Sequence, residues 1–166
     1  MRAYAGVRFF LLFAIFFIAA CAHQTGARGT FGSENAYWQG RLAVRVADAQ
    51  ADQSFSASFE LTGSAQRGSL VLTSVLGSTL ASLQWDEVSA SLRTTGATQQ
   101  FASLEALVRQ ATGTDLPVAS LFLWLRGEAS SAQGWDADLS GLADGRLSAR
   151  SLSAQKQSEL KIVLER

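Results

Sequence analysis

The chain has 166 residues, enough for one domain, and carries 14 basic and 14 acidic residues, so its formal net charge is zero. Its charged fraction of 17% is low, since soluble proteins usually carry about a quarter. We expect no nucleic-acid partner, because that would require a clustered basic face. The single histidine, His23, and the single cysteine, Cys21, lie near the amino end. We therefore expect no Ser-His-Asp site, no His/Cys metal centre and no cofactor in the domain.

The first 20 residues are predicted to be a secretory signal segment. Arg2 and Arg8 precede an unbroken apolar run over residues 9–20. This run is shorter than the roughly 20 residues that a membrane-spanning helix needs, and it has the length of a signal-peptide core, about 7–15 residues. It ends in Ile18-Ala19-Ala20-Cys21, which resembles a bacterial lipobox and implies a lipid on Cys21. The alternative is a cleaved, soluble secretory protein.

The residue after the cysteine indicates whether the protein is held in the inner or the outer membrane. An aspartate there would resemble the signal that retains lipoproteins in the inner membrane, and this chain has Ala22. The outer membrane is therefore favoured. Residues 22–36 show no apolar period and are rich in Gly, Ser and Thr, which predicts a flexible tether. We expect a signal peptide over 1–20, the anchor and tether over 21–36, and one domain over 37–166.

Apolar and polar residues alternate with period two from Trp38 onward. The pattern is clearest where Phe55, Ala57, Phe59 and Leu61 alternate with polar side chains. Such alternation is typical of antiparallel strands with one dry and one wet face. Strands are predicted over 38–47, 54–62, 69–73, 79–85, 88–93, 135–139, 146–152 and 160–164.

Two stretches break this alternation and predict helices. Ser103 can cap a helix over 104–111, with Gly113 just past its end. A second helix is predicted over 117–126, opened by the only proline. Its centre, residues 121–125, is apolar all round and should be buried all round. The predicted fold class is mainly β (α+β), a curved antiparallel sheet whose concave face is covered by inserted helices.

Two pairs of carboxylates could in principle perform acid–base chemistry. They are Asp86 with Glu87, and Asp136 with Asp138. Catalysis by paired carboxylates needs a sequestered site with shifted pKa values, and neither pair has apolar residues crowding both members. We interpret them as solvated loop and strand-edge charges, and we do not expect an enzyme.

Short phrases along the chain resemble the LolB family of outer-membrane lipoproteins, which receive other lipoproteins from the periplasmic carrier LolA and insert them. They occur in the family's order: Trp38-Gln39-Gly40-Arg41-Leu42-Ala43-Val44, Phe55-Ser56-Ala57-Ser58-Phe59, Leu76-Gly77-Ser78-Thr79, Leu116-Pro117 and Trp124-Leu125-Arg126-Gly127. The resemblance covers the lipobox and most of residues 37–166. It implies an incomplete antiparallel β-barrel closed by helices around a hydrophobic cavity.

The resemblance also implies partners and site residues. The partners would be a LolA-like periplasmic carrier, the acyl chains of cargo lipoproteins and the outer membrane, with this protein anchored there, facing the periplasm, as a monomer. An exposed apolar residue in an early loop delivers cargo in the family, and the matching position is Leu76; the alternative is an ordinary covered turn residue. We expect the cavity to be lined by Leu42, Val44, Phe55, Phe59, Leu72, Leu80, Leu107, Leu121 and Trp124.

The chain departs from the family pattern in three places, one of which is its ending in Glu165-Arg166 without the closing tryptophan of some relatives. Val75 stands where many members have proline, and the segment 140–166 is sparse, which leaves the closing edge of the barrel open to the loss of a strand pair. A rival interpretation is a structural or assembly lipoprotein that acts through protein contacts without an acyl-binding cavity. The rival predicts a solid core, whereas a receptor predicts an apolar cavity inside the fold.

Overall fold

A computed structural model describes residues 36–47, 52–113, 115–132, 134–153 and 157–165. The predicted signal segment, Cys21 and nearly all of the tether lie outside the described residues. Within the described ranges, no helix has both the length and the apolar character needed to cross a bilayer.

One antiparallel sheet of nine strands forms the body of the described chain. The strands are β1 (Tyr37–Ala47), β2 (Gln53–Gly63), β3 (Gly68–Thr73), β4 (Thr79–Trp85), β5 (Ala90–Thr94), β6 (Thr98–Phe101), β7 (Trp135–Asp138), β8 (Arg146–Ser151) and β9 (Gln157–Leu164). Their order across the sheet is β6-β5-β4-β3-β2-β1-β9-β8-β7. The sheet stays open between β6 and β7, and two helices accompany it, which confirms the predicted fold class.

The two predicted helices are present as α1 (Leu104–Thr112) and α2 (Val118–Leu125). Ser103 caps α1, its hydroxyl oxygen accepting the Ala106 amide at 3.2 Å. Gly113 ends the helix in the left-handed conformation, with φ of 67°, which glycine adopts at low cost. A short 3-10 helix over Leu142–Asp144, which the sequence analysis missed, precedes β8.

Two predicted strands begin at other residues in the structure, and one strand was not predicted. The predicted strand over 88–93 begins only at Ala90, because Val88 belongs to a turn and is 79% exposed. The edge strand β6, with the polar sequence TQQF, was missed because it has no apolar alternation. The last strand begins at Gln157 rather than at residue 160. It pairs with β1 over eight positions, so the carboxyl segment supplies the neighbour of β1.

The pairing of β1 with β9 depends on a glycine. Gly40 lies opposite Leu164, with φ of 157°. A Cβ atom at this position would lie 2.0 Å from the carbonyl oxygen of Val163, far inside any van der Waals contact. Glycine therefore allows the first and last strands to approach closely.

Candidate functional site

A cavity of about 490 Å³ lies between the concave face of the sheet and the two helices. Its walls come from β1 to β5, from β9 and from both helices. This volume lies within the range of about 300–1,000 Å³ that is usual for small-ligand sites. The space is therefore large enough to hold a ligand.

The cavity wall is almost entirely apolar. Among the described residues, no charged side chain lines it, and its polar members are the neutral residues Gln53, Ser54, Thr94 and Thr112. Transfer of an unpaired charge into such surroundings is costly, whereas each buried methylene of a ligand gains about 0.8 kcal/mol. The chemistry of the wall suits a hydrocarbon chain.

The strand connections define two ends of the cavity. In this antiparallel sheet β1, β3 and β5 finish, and β2, β4 and β6 begin, at the same end of the strands, which we call the mouth end. Two wall residues near the mouth end have exposed side chains: the exposed fraction is 44% for Phe55 and 37% for Leu80. Leu80 sits at a register shift between β3 and β4, and such bulges redirect a side chain.

The space at the opposite end of the strands, which we call the closed end, is filled by aromatic side chains. Trp38 on β1 and Trp85 on β4 both contact Phe122 of α2, with ring centroids 5.7 Å and 6.3 Å apart. All three side chains are at most 8% exposed, and the Trp85 indole donates to the carbonyl oxygen of Ser64 at 2.9 Å. Access to the cavity is therefore from the mouth end.

Most of the residues expected around the cavity lie along its wall. These are Leu42, Val44, Phe55, Phe59, Leu72, Leu80, Leu107 and Leu121. Trp124 is the exception and corrects the expectation for that position. It is only 1% exposed, and its indole nitrogen donates to the Ser130 carbonyl oxygen at 3.2 Å, so it packs between α2 and the following loop and does not face the cavity.

Several wall residues were not predicted from the sequence. Leu61, Leu70, Leu83 and Leu92 continue the inner faces of their strands, and Ile162 comes from β9. The strand alternation could have identified the first four. Ile162 became part of the wall only because β9 pairs with β1, which no local pattern indicates.

Leu76 lies in the β3–β4 connection at the mouth end and is 90% exposed, beside Val75 at 84%. Ser74 stabilises this turn through hydrogen bonds to both its side chain and its backbone. Its hydroxyl oxygen accepts the amides of Leu76 at 3.3 Å and Ser78 at 3.2 Å, and its backbone carbonyl accepts the Gly77 amide at 2.9 Å. Gly77 has φ of 80°. The local hydrogen bonds thus present two apolar side chains to solvent beside the mouth.

Three of the four carboxylates that were considered for acid–base chemistry, Asp86, Asp136 and Asp138, have local structural partners. Hydrogen bonds from the backbone of Val88 and from Ser89 lower the pKa of Asp86, and those from Ser140 lower the pKa of Asp138. Asp136 lies 3.6 Å from Arg150 in an exposed ion pair. Among the described residues, no group of three or more His, Cys, Asp and Glu could hold a metal ion.

A family model described as outer membrane lipoprotein LolB matches residues 36–163. The chain belongs to the LolB family. Outer-membrane lipoprotein LolB of Shewanella woodyi is 38% identical over 92 residues, which cover 55% of this chain and 41% of that protein. The LolB protein of Cupriavidus metallidurans is 32% identical over 133 residues, 78% of this chain and 64% of the relative. This LolB-family chain thus matches about half the length of these curated relatives.

Proposed function

We propose that the protein accepts acylated lipoproteins from a LolA-like periplasmic carrier and inserts them into the outer membrane. The observation that carries this proposal is the apolar, uncharged cavity of about 490 Å³ that opens beside the exposed tip of Val75 and Leu76. Membership of the LolB family supports it.

The energetics of acyl transfer fit such a cavity. Burying ten methylenes gains roughly 8 kcal/mol, so an acyl chain that leaves a carrier needs an apolar site at every stage. Transfer from carrier to receptor to bilayer needs no energy source if the affinity for the chain rises at each step. A cavity that is open at its mouth keeps part of the chain accessible, which allows release into the membrane.

The anchor and the location belong to the same proposal. A lipid on Cys21 would fix the protein to the outer membrane, with residues 22–36 as a tether to a monomeric domain that faces the periplasm. Two or three acyl chains give stable anchoring, whereas a single chain gives only marginal binding. Replacing Cys21 by alanine is expected to abolish metabolic labelling with radioactive palmitate. Persistent labelling would place the lipid at another residue.

The cavity also argues against the rival interpretation, a structural or assembly lipoprotein. A lipoprotein that acts only through protein contacts needs no internal space, and filling such a space would stabilise it by about 1 kcal/mol or more for each added methyl group. The space beside the buried Phe59 and Leu107 is therefore more consistent with a receptor.

Displacement of a bound fluorescent fatty acid tests the proposal on the purified protein. Leu121→Trp keeps the wall apolar but fills the space, and it should weaken binding at least about tenfold, or about 1.4 kcal/mol. Phe59→Glu should abolish binding, because an unpaired carboxylate in this wall is costly. Ser58→Glu, on the outer face of the same strand, is the matched control. Failure of the unaltered protein to bind any acyl ligand would refute the proposal.

A further inference from the structure

We infer, on the basis of the proposed function, that the mouth of the cavity selects acyl ligands with an uncharged head, such as the ester- and amide-linked chains of a lipidated cysteine, over phospholipids. The four polar residues of the wall, among the described residues, are all neutral. Gln53 and Ser54 open β2, and Thr94 closes β5, so these three lie at the mouth end.

The fourth, Thr112, places a helix terminus at the same end. Thr112 belongs to the last turn of α1. In this turn the Gln110 side-chain amide nitrogen donates a hydrogen bond to the side-chain oxygen of Gln99, near the start of β6, at 3.3 Å. The C-terminal end of a helix carries a partial negative charge. An anionic head at the mouth would therefore meet an unfavourable dipole, whereas an uncharged head would not.

Among the described residues, the arginines near the polar rim do not supply a phosphate site. Arg45, next to Val46 of the wall, forms an ion pair with Asp52 at 2.9 Å. Arg109, one turn before Thr112, pairs with Asp115. Arg93 alternates with the wall residues Leu92 and Thr94 and so lies on the outer face of β5.

The remaining polar groups suit carbonyl oxygens. The Gln53 side-chain amide and the Ser54 hydroxyl can donate to ester or amide carbonyls, whereas phosphate is usually bound by Lys, Arg or helix N-termini. A head without phosphate can therefore be satisfied at this rim. A phospholipid would find no unpaired cation for its phosphate among the described residues of this rim, although its acyl chains would fit equally well.

A competition experiment on the complete, purified protein in detergent tests this selectivity. A photoreactive diacylated cysteine peptide, N-acetylated so that its head is uncharged, is cross-linked to the cavity. Two unlabelled competitors with the same acyl chains are compared: the N-acetylated diacylated cysteine peptide and phosphatidic acid. We expect the peptide to compete at least about tenfold better. Gln53→Lys should improve competition by phosphatidic acid about tenfold relative to the peptide, because it places a cation at the rim. Gln84→Lys, on the outer face of β4, is the matched control.

The outcomes separate this inference from the proposed function. Equal competition by the two lipids, or stronger competition by phosphatidic acid, overturns the selectivity while acyl binding stands. A preference for the peptide that Gln53→Lys does not alter also overturns it, because the discrimination would then lie elsewhere. Absence of any cross-link in the cavity refutes the proposed function, and the selectivity with it.

Discussion

Replacing Leu76 by glutamate should separate delivery of the cargo from folding and from uptake. Leu76 is 90% exposed, and substitutions at such positions usually change the free energy of unfolding by less than about 0.5 kcal/mol. The hydrogen bond from its amide to the Ser74 hydroxyl is a backbone bond, so glutamate can keep it. The turn should therefore retain its shape in the variant.

We expect the variant to be impaired only in release of the cargo, when the Val75–Leu76 tip enters lipid. Transfer of a leucine side chain from water to an apolar phase gains roughly 1.5–3 kcal/mol, and a carboxylate forfeits this gain and resists entry. The release step should therefore slow by about 10- to 100-fold. Uptake should stay normal, because Leu76 is not among the residues that line the cavity.

A two-step assay measures transfer from carrier to receptor and from receptor to liposome separately. Val88→Glu is the matched control, because Val88 is 79% exposed in the β4–β5 turn at the closed end. We expect wild-type release from this control. Loss of stability in Leu76→Glu would show that Leu76 is needed by the fold. Normal release, or equal loss of both steps, would refute the role of this tip.

Three further predictions concern the scaffold. Gly40→Ala should lower the free energy of unfolding by more than about 1 kcal/mol in urea titrations, since its Cβ would meet the Val163 carbonyl oxygen at 2.0 Å; unchanged stability would contradict the close approach. Ser74→Ala should loosen the turn and raise amide exchange at Leu76 without changing acyl binding, whereas unaltered exchange would show that the hydroxyl is dispensable. The pKa of Asp86 is lowered by its amide partners, so its stabilising contribution is present above the usual carboxyl value and lost as pH falls through the lowered one. Asp86→Ala should therefore lower the Tm at neutral pH but not in strong acid, and a pH-independent difference would contradict this.

The sequence predicted the local structure well where short-range physics controls it. The alternation around Phe55 to Leu61 indicated which strand face is buried, because side chains alternate across a strand whatever its neighbours are. Ser103 and Gly113 marked the ends of α1, since capping involves only adjacent backbone groups. The exposure of Leu76 was expected from the family resemblance alone, and a turn residue in general gives no such signal.

The tertiary structure decided what local patterns leave open. An apolar strand face shows that its side chains avoid water. It does not show whether they border a packed core or a cavity, because that depends on the separation of α2 from the sheet. Trp124 and Leu121 lie on the same short, apolar helix, yet Leu121 lines the cavity and Trp124 packs against the Ser130 loop. The pairing of β9 with β1 joins segments that are more than 100 residues apart. The sequence by itself therefore determined the strands that alternate apolar and polar residues, together with their inward faces. The polar edge strand β6, the cavity, its mouth and its neutral rim depend on how distant elements pack together.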